Sequence, residues 1–172
     1  MKNPARFLTL LLRHKPETIG LKLDKYGWAK ISDLIKNPDF TAASIHKIIK
    51  EDNKGRFALS DDMKRVRACQ GHSFEVDLQL ESQRPPDVLY HGTTHTFVGA
   101  ISKEGLKKMQ RNHVHLSTDF GTAVSVGGRR GHPMVLEVDT HEMFEDKYEF
   151  FLSQNGVWLT DHVPPQYIRI AG

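Results

Sequence analysis

The stretch ESQRPP, residues 81–86, divides the chain. Adjacent Pro85 and Pro86 donate no backbone hydrogen bond and belong in neither a helix interior nor a central strand, so the segment reads as a linker. Before it the pattern is helices followed by a hairpin; after it come short strands alternating with short helices. The reading is therefore α+β with two lobes, 1–80 and 81–172.

Working back from the linker, RFALS (56–60) and RVRACQ (65–70) are extended runs separated by the turn residues Asp61-Asp62-Met63-Lys64. Ahead of them, Thr41 or Ser44 opens a helix with Ile45, Ile48 and Ile49 on one face and His46, Lys47 and Lys50 outward. Ser32 is placed as cap of a shorter helix through Asp33, Leu34 and Ile35. The spacing of Phe7, Leu8, Leu10, Leu11 and Leu12 predicts a buried first helix that Pro16 stops. Three helices and a hairpin predict a winged-helix-like module.

Forward of the linker, VLYH (88–91), HVHLS (113–117), MVLEV (134–138) and the pair FFLS and VWLT around Gln154-Asn155-Gly156 are read as strands. Phe97 to Lys103 and Asp119 to Val126 have helical spacing.

The charge is unevenly spread. Residues 1–75 carry 15 Lys+Arg against 9 Asp+Glu, net +6, and the remaining residues carry 9 against 12, net −3. A polyanionic partner is therefore expected mainly on the first lobe, although a solvated basic surface has the same composition. The single cysteine, Cys69, excludes an intramolecular disulfide and a cysteine-rich zinc site. No apolar run reaches bilayer length and no signal pattern opens the chain, so a cytoplasmic protein is expected.

Four stretches carry groups capable of chemistry. LLLRHKPE (10–17) ends a helical run in Arg13 and His14, cations that a helix C-terminus favours in any case. EDNKGRF (51–57) places Lys54 and Arg56 at the entrance to the hairpin. HGTTH (91–95), directly after a strand, reads as a nucleotide-binding corner in which Gly92 lets a ligand approach the backbone, or as a β-turn with incidental polar residues. Its paired histidines lack the glutamate of a zinc helix, so no metal is expected. In RNHVHLS (111–117), alternation puts His113, His115 and Ser117 on one side of a strand. In VGGRRGHP (126–133), paired glycines imply a sharp bend that carries Arg129 and Arg130, whose guanidiniums are planar forks suited to phosphate.

Taken together, LLLRHKPETIGL, EDNKGRF, RACQGHS, LYHGT, RNHVHLS, VGGRRG and NGVWLT resemble, in order and approximate spacing, the RNA 2′-phosphotransferase family. The resemblance runs from about Phe7 to Pro165. It implies an N-terminal winged-helix lobe, a C-terminal ADP-ribosyltransferase-like lobe, and a site in the cleft between them. NAD⁺ is the implied co-substrate and RNA bearing a 2′-phosphate the implied partner, with no metal, no membrane and a monomeric enzyme. Its Arg-His-Arg-Arg catalytic set falls on Arg13, His14, Arg56 and Arg129, with Lys54 assisting at the substrate phosphate. Tyr90, His91, Gly92, Thr93, His115 and Ser117 fall on the NAD⁺-binding segments, and Gln70 and His72 border the cleft. Val157 stands where many ADP-ribosyltransferases carry a glutamate, a base that a phosphate acceptor does not require. Two other readings compete: an ADP-ribosyltransferase that modifies nucleic-acid phosphates and stops there, and a non-enzymatic winged-helix regulator that binds nucleic acid.

Overall fold

The computed structural model describes residues 3–109 and 111–171, an α+β chain that divides into two compact units, 1–79 and 80–172.

In the first unit, α1 (Pro4–Arg13) is capped by the Asn3 side chain, which accepts from the backbone N–H groups of Ala5 and Arg6. Leu8, Leu11 and Leu12 are fully buried, whereas Leu10, a turn-fraction away from that stripe, is 37% exposed rather than in the core. The helix ends at Arg13, before Pro16. Lys15 leaves the α region because it precedes proline, and Pro16 opens a 3₁₀ turn, Pro16–Ile19, at the position where its missing N–H costs nothing.

After β1 (Ala29–Lys30), α2 (Ile31–Leu34) starts from Lys30 without a side-chain cap. Ser32 lies inside this helix and is not its cap. For α3 (Ala42–Glu51), Thr41 and Ser44 act together: the Ser44 N–H donates to the Thr41 hydroxyl, and the Thr41 N–H to the Ser44 hydroxyl. His46 does not look freely outward; it is half-buried, with Nε2 out of water and without a hydrogen-bond partner. Next, β2 (Phe57–Leu59) and β3 (Arg65–Ala68) pair antiparallel, and β1 joins the other edge of β3. The core gathers Leu8, Leu11, Leu12, Leu34, Ile45 and Val66.

The second unit is built on β4 (Leu89–Thr94), longer than the sequence suggested: His91 to Thr94 continue the strand instead of turning, and α4 (His95–Glu104) begins at His95. Then come β5 (Leu106–Lys107), β6 (Val114–Leu116), α5 (Phe120–Gly127), β7 (Pro133–Val138), α6 (Thr140–Glu145), β8 (Phe151–Leu152), β9 (Trp158–Thr160), β10 (His162–Val163) and β11 (Ile168–Ile170). They form a β11-β7-β4 sheet, a β6-β9-β8 sheet and a β10-β5 pair, all antiparallel. Tyr90 and Ser117 exchange two backbone hydrogen bonds of 2.8 Å and so join the two larger sheets. Leu89, Leu116, Leu136, Val138, Met143 and Phe150 fill the core.

Candidate active site

In the first unit the candidate residues come from two distant stretches drawn to a third. Arg13 is the last residue of α1 and His14 its C-cap, its N–H donating to the Leu10 carbonyl. Arg56 leads into β2, and its carbonyl accepts from the Cys69 N–H at 2.8 Å. Four residues on, the Ser73 N–H donates to the Arg13 carbonyl at 2.9 Å. The segment Cys69–Ser73 is therefore stapled to the bearers of both arginines. Arg13, His14 and Arg56 are each half-exposed, and Lys54 is exposed one residue beyond Asn53.

Asp52, which the sequence reading gave no role, organises the second stretch. Its carboxylate accepts from the N–H groups of Lys54 (3.3 Å) and Arg56 (2.5 Å), and lies 3.6 Å from Arg56 Nη1. Gly55 makes the intervening bend at φ 61°. An aspartate two residues before a lysine and four before an arginine in a loop is the legible signal of such a turn.

His72 is 1% exposed and neither ring nitrogen has a hydrogen-bond partner. Burial, then the charges of Arg13, His14 and Arg67, push it down to about 4, so it is neutral at physiological pH. Gln70 is likewise buried.

In the second unit the structure brings Tyr90, His91, His115 and Ser117 together across β4 and β6. His91 Nδ1 is 2.9 Å from the His115 carbonyl oxygen. A carbonyl only accepts, so this nitrogen carries the proton. Burial, the dominant effect, and Arg111 lower the His91 pKa against the opposing carbonyl, so the ring is neutral and Nε2 is left as an acceptor. Arg111 Nη1 lies 3.1 Å from His115 Nδ1; a guanidinium only donates, so His115 presents Nε2–H as a donor. Arg111 was quoted in the sequence motif but assigned nothing. The Ser117 hydroxyl accepts from the Asp119 N–H, and Asp119 in turn caps α5 through the Thr122 N–H. Phe120 stands edge-on to Tyr90, ring centroids 5.7 Å apart, and is 42% exposed.

Gly92 and Thr93 also pack against α5. A Cβ at Gly92 would collide with the Ala123 carbonyl and lie 2.8 Å from the Gly127 nitrogen; one at Gly127 would lie 3.0 Å from the Thr93 nitrogen. The close approach that Gly92 permits is that of α5, and Thr93 is buried beneath the same helix. The paired glycines of VGGRRG make no sharp bend either. Gly127 and Gly128 keep helical dihedrals, and the left-handed residue is Gly131, at φ 145°. Arg129 is exposed on a 3₁₀ turn, Gly128–Arg130, that packs on β4 and β7. Among the described residues no cluster of histidine, cysteine and carboxylates is suited to hold a metal ion, and no helix is long and apolar enough to cross a membrane.

Residues 2–162 match the family described as RNA 2'-phosphotransferase, Tpt1 / KptA family. A protein of Flavobacterium johnsoniae named "Probable RNA 2'-phosphotransferase" is 49% identical over 173 residues, which cover 98% of this chain and 95% of the relative. Proteins of the same name from Fusobacterium nucleatum and Burkholderia pseudomallei are 48% identical (96% of each chain) and 44% identical (98% and 94%).

Proposed function

The chain belongs to the RNA 2'-phosphotransferase, Tpt1 / KptA family, and from that premise we propose that it removes an internal 2′-phosphate from RNA by transferring it to NAD⁺. The RNA 2′-phosphate attacks the anomeric carbon of the nicotinamide ribose and nicotinamide leaves. The ribose 2″-hydroxyl then attacks the phosphorus of this ADP-ribosylated RNA. The RNA 2′-oxygen departs with a proton, and the products are 2′-hydroxyl RNA and ADP-ribose 1″,2″-cyclic phosphate.

The observation that carries this reading is the cationic edge of the first unit, where Cys69–Ser73 is bonded to the main chains of both Arg13 and Arg56, with His14 and Lys54 beside them. A phosphate monoester is largely a dianion at neutral pH and needs placement more than deprotonation, which fixed guanidiniums supply. In the second step negative charge accumulates on a five-coordinate phosphorus, where preorganised cations are worth most. Arg129 is assigned to the same catalytic set.

In the second unit, His91 offers an acceptor and His115 a donor, a complementary pair for a ribose hydroxyl and a ribose or diphosphate oxygen. Those fixed tautomers, with Tyr90 and Ser117 alongside, support an NAD⁺ site there. The two lobes are read as a winged-helix lobe and an ADP-ribosyltransferase-like lobe.

The test is to incubate purified protein with NAD⁺ and an oligonucleotide bearing one internal 2′-phosphate. Nicotinamide, dephosphorylated RNA and the cyclic phosphate should appear together. Release of none of these overturns the reading; a stable ADP-ribosylated RNA as end product replaces it with simple ADP-ribosyl transfer.

A further inference from the structure

The RACQGHS motif contains a glycine whose missing side chain is matched to a catalytic one. Gly71 sits at φ 90°, and a Cβ placed on it would lie 3.2 Å from Arg13 Nε, 3.3 Å from Cζ and 3.5 Å from Cδ. The inner end of the Arg13 guanidinium thus lies against the space that a side chain at Gly71 would take. Two residues later the Ser73 N–H and hydroxyl both donate to the Arg13 carbonyl, at 2.9 and 3.4 Å. His72, fully buried between these two contacts in sequence, keeps the segment anchored.

We propose that Gly71 is a positioning residue: it sets where the Arg13 guanidinium sits, and Ser73 fixes the backbone from which that side chain departs. The inference rests on the phosphate-transfer reading of Arg13. Its physical basis is the difference between what folding and catalysis tolerate. A contact of 3.2–3.3 Å is relieved when the neighbour moves by a few tenths of an ångström, and a half-exposed arginine can do so at small cost to stability. The same displacement moves a guanidinium off the geometry on which transfer depends, and small misplacements at a reacting centre cost rate steeply.

Backbone strain at positive φ would confound a substitution here, and the chain contains its own control. Gly20, also in the first unit, sits at φ 66° with nothing within 4 Å of the place a Cβ would take. Gly71→Ala and Gly20→Ala therefore share a strained backbone and differ in whether Arg13 is displaced.

Both variants and the unaltered protein are assayed with NAD⁺ and the 2′-phosphorylated oligonucleotide, and each is melted. Expected are similar small falls in Tm for the two variants, a wild-type rate for Gly20→Ala, and roughly a tenfold loss for Gly71→Ala. That loss should fall on kcat with KM for RNA within about twofold, because Lys54 and Arg56 still grip the dianion. The proposal is overturned if Gly71→Ala keeps the wild-type rate, loses no more than Gly20→Ala, or fails to fold where Gly20→Ala folds. An unaltered protein that releases no product refutes the reaction itself, and the proposal with it.

Discussion

The Asp52 carboxylate holds Arg56 at both ends of the residue, accepting its backbone N–H at 2.5 Å and standing 3.6 Å from its guanidinium. A negative charge beside the proposed phosphate site would weaken ground-state binding, so the role assigned to Asp52 is orientation of Arg56. Asp52→Ala should lower kcat about tenfold and destabilise the first unit by about 1 kcal/mol, the cost of a lost turn cap. Asp52→Asn should recover most of the stability and less of the rate. Steady-state kinetics and urea unfolding of the two variants check this; equal recovery of both would assign Asp52 to the turn alone.

Arg56 is half-exposed and Arg129 exposed, so truncating either removes a cation of the proposed catalytic set without opening the core. Arg56→Ala and Arg129→Ala should each lose on the order of 100-fold in activity while stability changes by less than about 1 kcal/mol. Parallel loss of melting temperature and rate would contradict this. The proposed steps use no metal, so a chelator should leave the rate of the unaltered protein unchanged.

If His14, the C-cap of α1, serves the second of the proposed steps, its removal should stall the reaction after the first. A His14→Ala protein should consume NAD⁺ and accumulate ADP-ribosylated RNA, detected as a slower band on a denaturing gel. Loss of nicotinamide release altogether would place His14 in the first step instead.

His72 makes the first unit sensitive to acid. In the unfolded chain it takes up a proton as pH falls through 6.5; folded, it does so only at about 4. The folded pKa lies below the unfolded one, so its contribution is complete above pH 6.5 and is lost as pH falls from there to about 4, on the order of 3 kcal/mol. His72→Phe should flatten that part of the stability curve. Unfolding midpoints measured between pH 7 and pH 4 compare the slopes, and an unchanged slope would remove His72 as its source.

Gly92→Ala should destabilise the second unit by roughly 3 kcal/mol, because the new methyl meets the α5 backbone and not a side chain that can move. Gly99, in α4 with nothing within 4 Å of its Cβ position, is the comparison; Gly99→Ala should be neutral or stabilising by up to about 1 kcal/mol. Urea unfolding of the pair decides whether space, rather than glycine itself, is what β4 requires.

Much of the architecture was legible because it follows periodicity and capping. The leucine stripe of α1, the Thr41–Ser44 start of α3, the hairpin around Asp61–Lys64 and the Gln154–Gly156 turn are local signals. The two-residue strands β1, β5 and β10, with β11 and α6, were not legible, since elements so short are fixed by tertiary partners. HGTTH misled for a related reason: glycine and threonines looked like a turn, but the pairing of β4 with β7 holds them extended, and the glycine answers to a helix far along the chain. Among site residues, the cations were visible as types in motifs. Asp52, Gly71 and Arg111 were not singled out, because each acts on another residue and only coordinates reveal the pairing.

The contact between Ser73 and Arg13 spans 60 residues of chain, and it closes only after α1 has met the far end of the hairpin. A nascent or partly unfolded chain would still display its lysines and arginines, and would attract any polyanion, but as scattered charges with no fixed spacing. On the proposed function, selective handling of one phosphate among the many on an RNA therefore depends on this long-range contact being closed. On the proposed reaction, nicotinamide release would report that closure, which helix content, supplied by α1 and α3, does not register.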